Sequence, residues 1–142
     1  MVYGIDHSAG SVRVASKVNA KLIKADRVEI RESLVSQLPY ANDTFDLVAA
    51  VETHFFWLDL AGDVPEVLRV VKPGGMFVVI AEVHKGGKAA MSRIVEKYAP
   101  KTGMTLLTPN EHHGLLVGAG FADVQVFTDV SKGGVCAVGR KL

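Results

Sequence analysis

"MVYGIDHSAGSV" (residues 1–12) settles the class of fold. Val2 to Ile5 is a short apolar run that stops at an acid, Asp6. Ser8 then stands where a helix N-cap belongs, and a helix-forming stretch follows. A strand that closes on a carboxylate and turns directly into a helix is a building unit of an α/β domain. In open parallel sheets, ligands bind outside the carboxyl ends of the strands, which is where Asp6 falls. The unit reads as the second of its kind, because an opening strand and its glycine-rich turn would precede Met1.

Working outward, Val12, Ala15, Val18 and Leu22 recur at helical spacing after a cap at Ser8 or Ser11. Val28–Ile30 is a short strand. "LPYANDTFDLVAAVE" (38–52) supplies an Asn- and Asp-rich turn and then Phe45–Val51, apolar on both faces apart from Asp46, as expected of a buried parallel strand. Val64, Val67, Leu68 and Val71 form a helical stripe, with Pro65 tolerable in its first turn. "KPGG" (72–75) stops that helix, and Met76–Ala81 is another buried strand. Ala89 to Tyr98 reads as helix, broken over Pro100 to Gly103. Thr108, Pro109 and Glu111 then form a capping box with proline at the first helical position. "FADVQVF" (121–127) and "GGVCAVGRK" (133–141) are strands joined by a connection too short for a parallel crossover, so they form an antiparallel hairpin. The expectation is one domain over residues 1–142: a Rossmann-like, mostly parallel α/β sheet with helices on both faces and a C-terminal antiparallel hairpin.

Bulk properties narrow the function. The 142 residues are 49% hydrophobic and 22% charged, which excludes a disordered tail. A net charge of +1, with Lys and Arg scattered, gives no reason to expect nucleic acid as a partner. The single cysteine, Cys136, rules out an internal disulfide framework and suits a reducing compartment. No apolar run approaches the ~20 residues of a membrane span, and the start lacks the pattern of a signal peptide. The expectation is a cytoplasmic protein with no membrane partner.

Four stretches together resemble the class I S-adenosylmethionine-dependent methyltransferases, especially the small-molecule branch related to ubiquinone and menaquinone methyltransferases. They are "VYGIDHS" (2–8), "LPYANDTFDLVAAVETHFFW" (38–57), "EVLRVVKPGGMFVVIAE" (66–82) and "LLVGAGFADVQVF" (115–127). The resemblance implies a sheet of order 3-2-1-4-5-7-6 and S-adenosylmethionine as cofactor. It also implies that the central first strand and its glycine turn are missing from residues 1–142. "KPGG", "KGGK" and "KGGV" read as no substitute, each following a helix or preceding a strand.

The resemblance also orders the candidate residues. Asp6 would accept the ribose hydroxyls of the cofactor, with His7 beside it; the alternative is that Asp6 caps the following helix. Leu34 and Val35 stand around the adenine, although the family's usual acid is absent at Leu34; core packing is the other reading. Glu52 would pair with the cofactor's ammonium, with Thr53 next to it. His54 would take a proton from the acceptor, or else belong to a solvated loop. Phe55, Phe56 and Trp57 line an acceptor pocket or enter the core. His112 and His113 lack the spacing of a metal site, and no metal is expected.

Methyl transfer to a small-molecule acceptor is the first functional reading. A truncated, catalytically inactive relative that self-associates is the second. A nicotinamide-dependent oxidoreductase is the third, since Asp6 would suit that ribose too. With the central strand missing, Val2–Ile5 and Phe45–Val51 would face a gap about two strand spacings wide. Their open edges imply a homo-oligomer, and without the glycine turn residues 1–142 would hold the cofactor only feebly.

Overall fold

A computed structural model describes all residues, Met1–Leu142. They form two compact units, residues 1–39 and 40–142. In the first, β1 (Val2–Asp6) and β2 (Val28–Glu32) pair in parallel, Val2 opposite Val28 and Asp6 opposite Glu32. Helices α1 (Ala9–Val18) and α2 (Ala20–Lys24) connect them. Ser8 is the cap of α1, its hydroxyl accepting the Ser11 N–H at 3.3 Å. The anticipated apolar stripe is broken at Asn19, whose side-chain amide donates to the Ala15 carbonyl and whose backbone starts α2. Val18 is consequently 78% exposed, and α1 buries no residue fully.

The second unit holds β3 (Phe45–Val51), α3 (Leu60–Val70), β4 (Val71–Ala81), α4 (Ala90–Thr102), α5 (Pro109–Ala119), β5 (Ala122–Thr128) and β6 (Val135–Arg140). Its sheet has the order β3-β4-β6-β5, with β3 parallel to β4 and β6 antiparallel to both β4 and β5. The closing hairpin is therefore as its short connection required. Taken separately, each sheet has the internal strand order that the resemblance implies for its own strands, β1-β2 in the first unit and β3-β4-β6-β5 in the second.

Alternation along the strands gives this sheet two unlike faces. Ala50, Phe77, Val79, Ala81, Val135 and Ala137 are buried, together with Val64, Val67 and Val70 of α3 and Leu116 of α5. On the other face the rows Leu47–Met76 and Val51–Ile80–Cys136–Phe127 remain largely exposed, with Leu47 and Val51 each at 55%. The expectation of a strand buried on both faces thus fails for β3. Within its unit, β3 is an edge strand, and only Ala50 is fully buried, with Phe45 and Val48 partly so.

"KPGG" does more than end a helix, for it lies inside β4. Gly74 takes a φ of 80°, and a Cβ at Gly75 would stand 2.9 Å from the carbonyl oxygens of Asp46 and Lys72. The two glycines let β4 pass close to the start of β3 and shift register there. Pro100 does not break α4, which runs on to Thr102 and stops at Gly103 in the left-handed conformation, φ 73°. A proline in the last turn forfeits only the one hydrogen bond to the Glu96 carbonyl, and at the helix end the Thr102 hydroxyl donates to the Ala99 carbonyl.

Candidate active site

Asp6 sits at the carboxyl end of β1. Its Oδ1 accepts the Ser8 N–H at 2.8 Å, and its side chain is 43% exposed, leaving Oδ2 open to a ligand. Helix capping itself falls to Ser8, so Asp6 braces the turn while keeping one oxygen for a hydroxyl donor. His7 is exposed beside it, its Nδ1 3.7 Å from Asp6 Oδ1. Ser33 donates its backbone N–H to the Asp6 carbonyl at 3.0 Å, so Leu34 and Val35 follow at the same sheet edge. Leu34 is exposed and Val35 opens a 3₁₀ turn, Val35–Gln37. The first unit therefore brings a partly exposed carboxylate and the Leu34–Val35 segment to the carboxyl end of its two strands.

The second unit gathers Glu52, Thr53 and His54 at the carboxyl end of β3. Glu52 has a φ of 53°, a left-handed conformation that costs an L-residue about 1–2 kcal/mol. Two contacts hold it there: its N–H donates to Ile80 at 2.9 Å, and its carboxylate accepts the Glu82 N–H. One Glu52 oxygen is thus committed to β4. Thr53 is exposed and leads into the 3₁₀ turn His54–Phe56.

His54 is only 2% exposed, which overturns the solvated-loop reading. Its Nε2 lies 2.9 Å from Nε2 of His112, itself 1% exposed in the first turn of α5. His112 Nδ1 lies 2.8 Å from the Thr108 carbonyl oxygen. Burial, reinforced by His112, drives the His54 pKa down to about 4, and burial lowers that of His112. Both rings are therefore neutral near neutral pH. The predicted capping box is present, Thr108 and Glu111 each accepting the other's backbone N–H, and it fixes the turn that carries His112.

Phe55 is core, packed with Ala81 and Val135, and Trp57 stacks on Phe77 with centroids 6.5 Å apart. Phe56 is half-exposed. An open cavity of about 610 Å³ lies over the upper row of the exposed sheet face. Ile80, Cys136 and Phe127 floor it, and Glu82, Met91 and Lys132 stand around it. Burial pushes the Cys136 thiol up, consistent with a packing role. "KGGK" (85–88) follows β4 and precedes α4, so it is a strand-to-helix glycine turn, contrary to its reading from the sequence. Gly86 takes a φ of 78°, and a Cβ at Gly87 would stand 2.6 Å from Ser92 Oγ. No helix in the chain is long and apolar enough to cross a membrane.

His112 is the residue that sequence reasoning missed. It lies 58 positions from His54, and no spacing in the sequence links the two rings.

A family model described as a methyltransferase domain matches residues 1–79. Erythromycin 3''-O-methyltransferase of Saccharopolyspora erythraea is 26% identical over 134 residues, covering 88% of this chain and 44% of that protein. Demethylmenaquinone methyltransferase of Lactiplantibacillus plantarum is 36% identical over 83 residues, 56% of this chain and 33% of that one. The chain thus spans less than half the length of these curated relatives. Among solved structures, a methyltransferase of Thermotoga maritima, described as a possible histamine N-methyltransferase, superposes with a TM-score of 0.70 at 21% identity. That match covers 99% of this chain and 82% of the other.

Proposed function

Since the chain belongs to the methyltransferase-domain family, we propose that it takes part in methyl transfer from S-adenosylmethionine to a small-molecule acceptor. The observation that carries this reading is Asp6, a carboxylate with a free oxygen at the end of a parallel strand and the adenine-side pair Leu34 and Val35 at the same edge. Bound there, the cofactor would supply an electrophilic methyl carbon by its own sulfonium chemistry. The chain's share is to hold the ribose at Asp6, seat the acceptor and keep water away. Placing two reactants in line is worth up to roughly 7–11 kcal/mol, so no dedicated base is required for a good nucleophile. The cavity over Ile80, Cys136 and Phe127 suits the acceptor: its floor is apolar and its rim carries Glu82 and Lys132.

Titration calorimetry tests the reading. S-Adenosylmethionine or its demethylated product should bind residues 1–142 weakly but measurably, and Asp6→Ala should weaken the interaction by a further ~1.5–3 kcal/mol, the cost of a lost charged hydrogen bond. Failure of both ligands to bind would remove the proposal, while an unchanged affinity in the variant would reduce Asp6 to a brace for Ser8.

The same proposal includes a homo-oligomer. Outside that cavity, the exposed Leu47, Val51 and Met76 form an apolar strip of the kind that monomers rarely leave uncovered. Light scattering should return a mass of at least twice 15.2 kDa, and a monodisperse monomer would exclude it.

A further inference from the structure

Three groups lie in sequence through the interior of the second unit: the Thr108 carbonyl, the His112 ring and the His54 ring. A carbonyl can only accept, so the hydrogen between Thr108 and His112 sits on His112 Nδ1. A neutral imidazole carries one hydrogen, which leaves His112 Nε2 as a bare acceptor. His54 Nε2 faces it at 2.9 Å and must therefore be the donor. The proton that could have sat on His54 Nδ1 is thus spent on His112. His54 Nδ1 remains a lone-pair acceptor, buried and without a hydrogen-bond partner.

We propose that Thr108 and His112 act as positioning residues, fixing His54 in its Nε2–H tautomer and leaving Nδ1 as a preset buried acceptor, to be completed only by a group that brings its own N–H or O–H into the interior. The role assigned to His54 rests on the methyltransferase reading; the tautomer lock does not. An acceptor-only nitrogen discriminates by chemistry. A hydroxyl, amine or ammonium completes it, whereas a carbonyl or carboxylate oxygen would face a lone pair with no hydrogen between them.

The lock also constrains Glu52 and Thr53. His54 opens the 3₁₀ turn directly after them, and the Thr105 N–H donates to Phe55 in that turn at 2.8 Å. The segment before α5 and the exit of β3 are therefore tied by backbone as well as by the two rings. Other charged or titratable groups acting on His112 are Glu111, on its own helix, and His84, from the loop after β4. Lys85 acts on Glu111. None of these stands between the two rings.

Nitrogen-15 NMR of the imidazoles, near neutral pH and without ligand, decides it. Wild-type His54 should show one protonated nitrogen, Nε2, and one bare nitrogen, Nδ1, with no tautomer averaging. His112→Gln keeps an amide oxygen able to accept from His54 Nε2 and should preserve the pattern. His112→Leu should let the two His54 nitrogens move toward averaged shifts. A merely structural role for His112 would not separate Gln from Leu in this way. If His112→Leu does not fold, wild type and His112→Gln still decide, because a wild-type His54 protonated on Nδ1, or averaged between tautomers, overturns the proposal. Loss of cofactor binding with the tautomer pattern intact would instead count against the methyltransferase reading.

Discussion

Lowering the pH from 7 to about 4.5 should remove about 2–3 kcal/mol of folding stability through His54. The sign follows from the direction of its shift. Unfolded, this histidine titrates at 6.5; folded, it resists protonation down to about 4, because the charged ring would be buried against His112. Between those values the unfolded chain takes up the proton and the folded one does not. The contribution is complete above the unfolded value and drains away as the pH falls through the folded one. His112, whose pKa is also lowered, adds loss in the same direction. Glu111 and Asp129 have lowered carboxyl pKa values, and their contributions begin to drain only as the pH falls into the ordinary carboxylate range. Asp63, raised by burial, works the opposite way. Urea unfolding at the two pH values, on wild type and on His54→Gln, isolates the effect. The variant should lose markedly less stability than wild type on acidification, and equal losses would show that the His54 ring is not shielded.

Phe77→Ala should be the most damaging single truncation, costing about 3–5 kcal/mol. Phe77 is wholly buried at the middle of β4, stacked beneath Trp57 and 5.6 Å from the Phe121 ring. Its cross-strand neighbour is Gly139, where a Cβ would come within 2.8 Å of Phe121 Cβ. The missing side chain at Gly139 is therefore occupied by Phe121, and the three rings fill one layer. Removing the central ring leaves a void that Trp57 and Phe121 cannot both collapse into. Whole domains are stable by only about 5–15 kcal/mol, so this loss approaches unfolding. Phe77→Leu should cost clearly less. Denaturant midpoints measure both, and a Phe77→Ala loss under about 1 kcal/mol would mean that the ring is not central to the core.

Much of this was legible in the sequence because it is local. The cap at Ser8, the capping box at Thr108 and Glu111, and the short β5–β6 connection each act over a few residues, and each appears where it was read. Strand Phe45–Val51 was found to the residue, but its exposure was not, since burial depends on which strand lies alongside. The stripe through Val18 gave way to a side chain, Asn19, that competes for the helix's own hydrogen bonds. "KPGG" punctuated the sequence as a helix stop, yet its glycines serve the close approach of two strands. Of the candidate site, Asp6 and His7 lie side by side at the end of β1, and the Ser33 N–H donated to the Asp6 carbonyl sets the start of the Leu34–Val35 segment beside them. The partnership of His54 with His112 could not be read, because no periodicity links residues on two different elements.

The order β3-β4-β6-β5 has a consequence for synthesis. The slot beside β4 belongs to β6, the last strand made, with Met76 opposite Arg140 and Ile80 opposite Cys136. While the ribosome is still producing α4, α5 and β5, β4 can pair on one side only, with β3. Hairpin β5–β6 cannot join as an afterthought either, since β5 reaches the rest of the sheet only through β6. Folding of residues 40–142 therefore waits until residues 135–140 have left the exit tunnel. Until then β4 carries an open, apolar edge, and that interval is when a nascent chain depends most on chaperones.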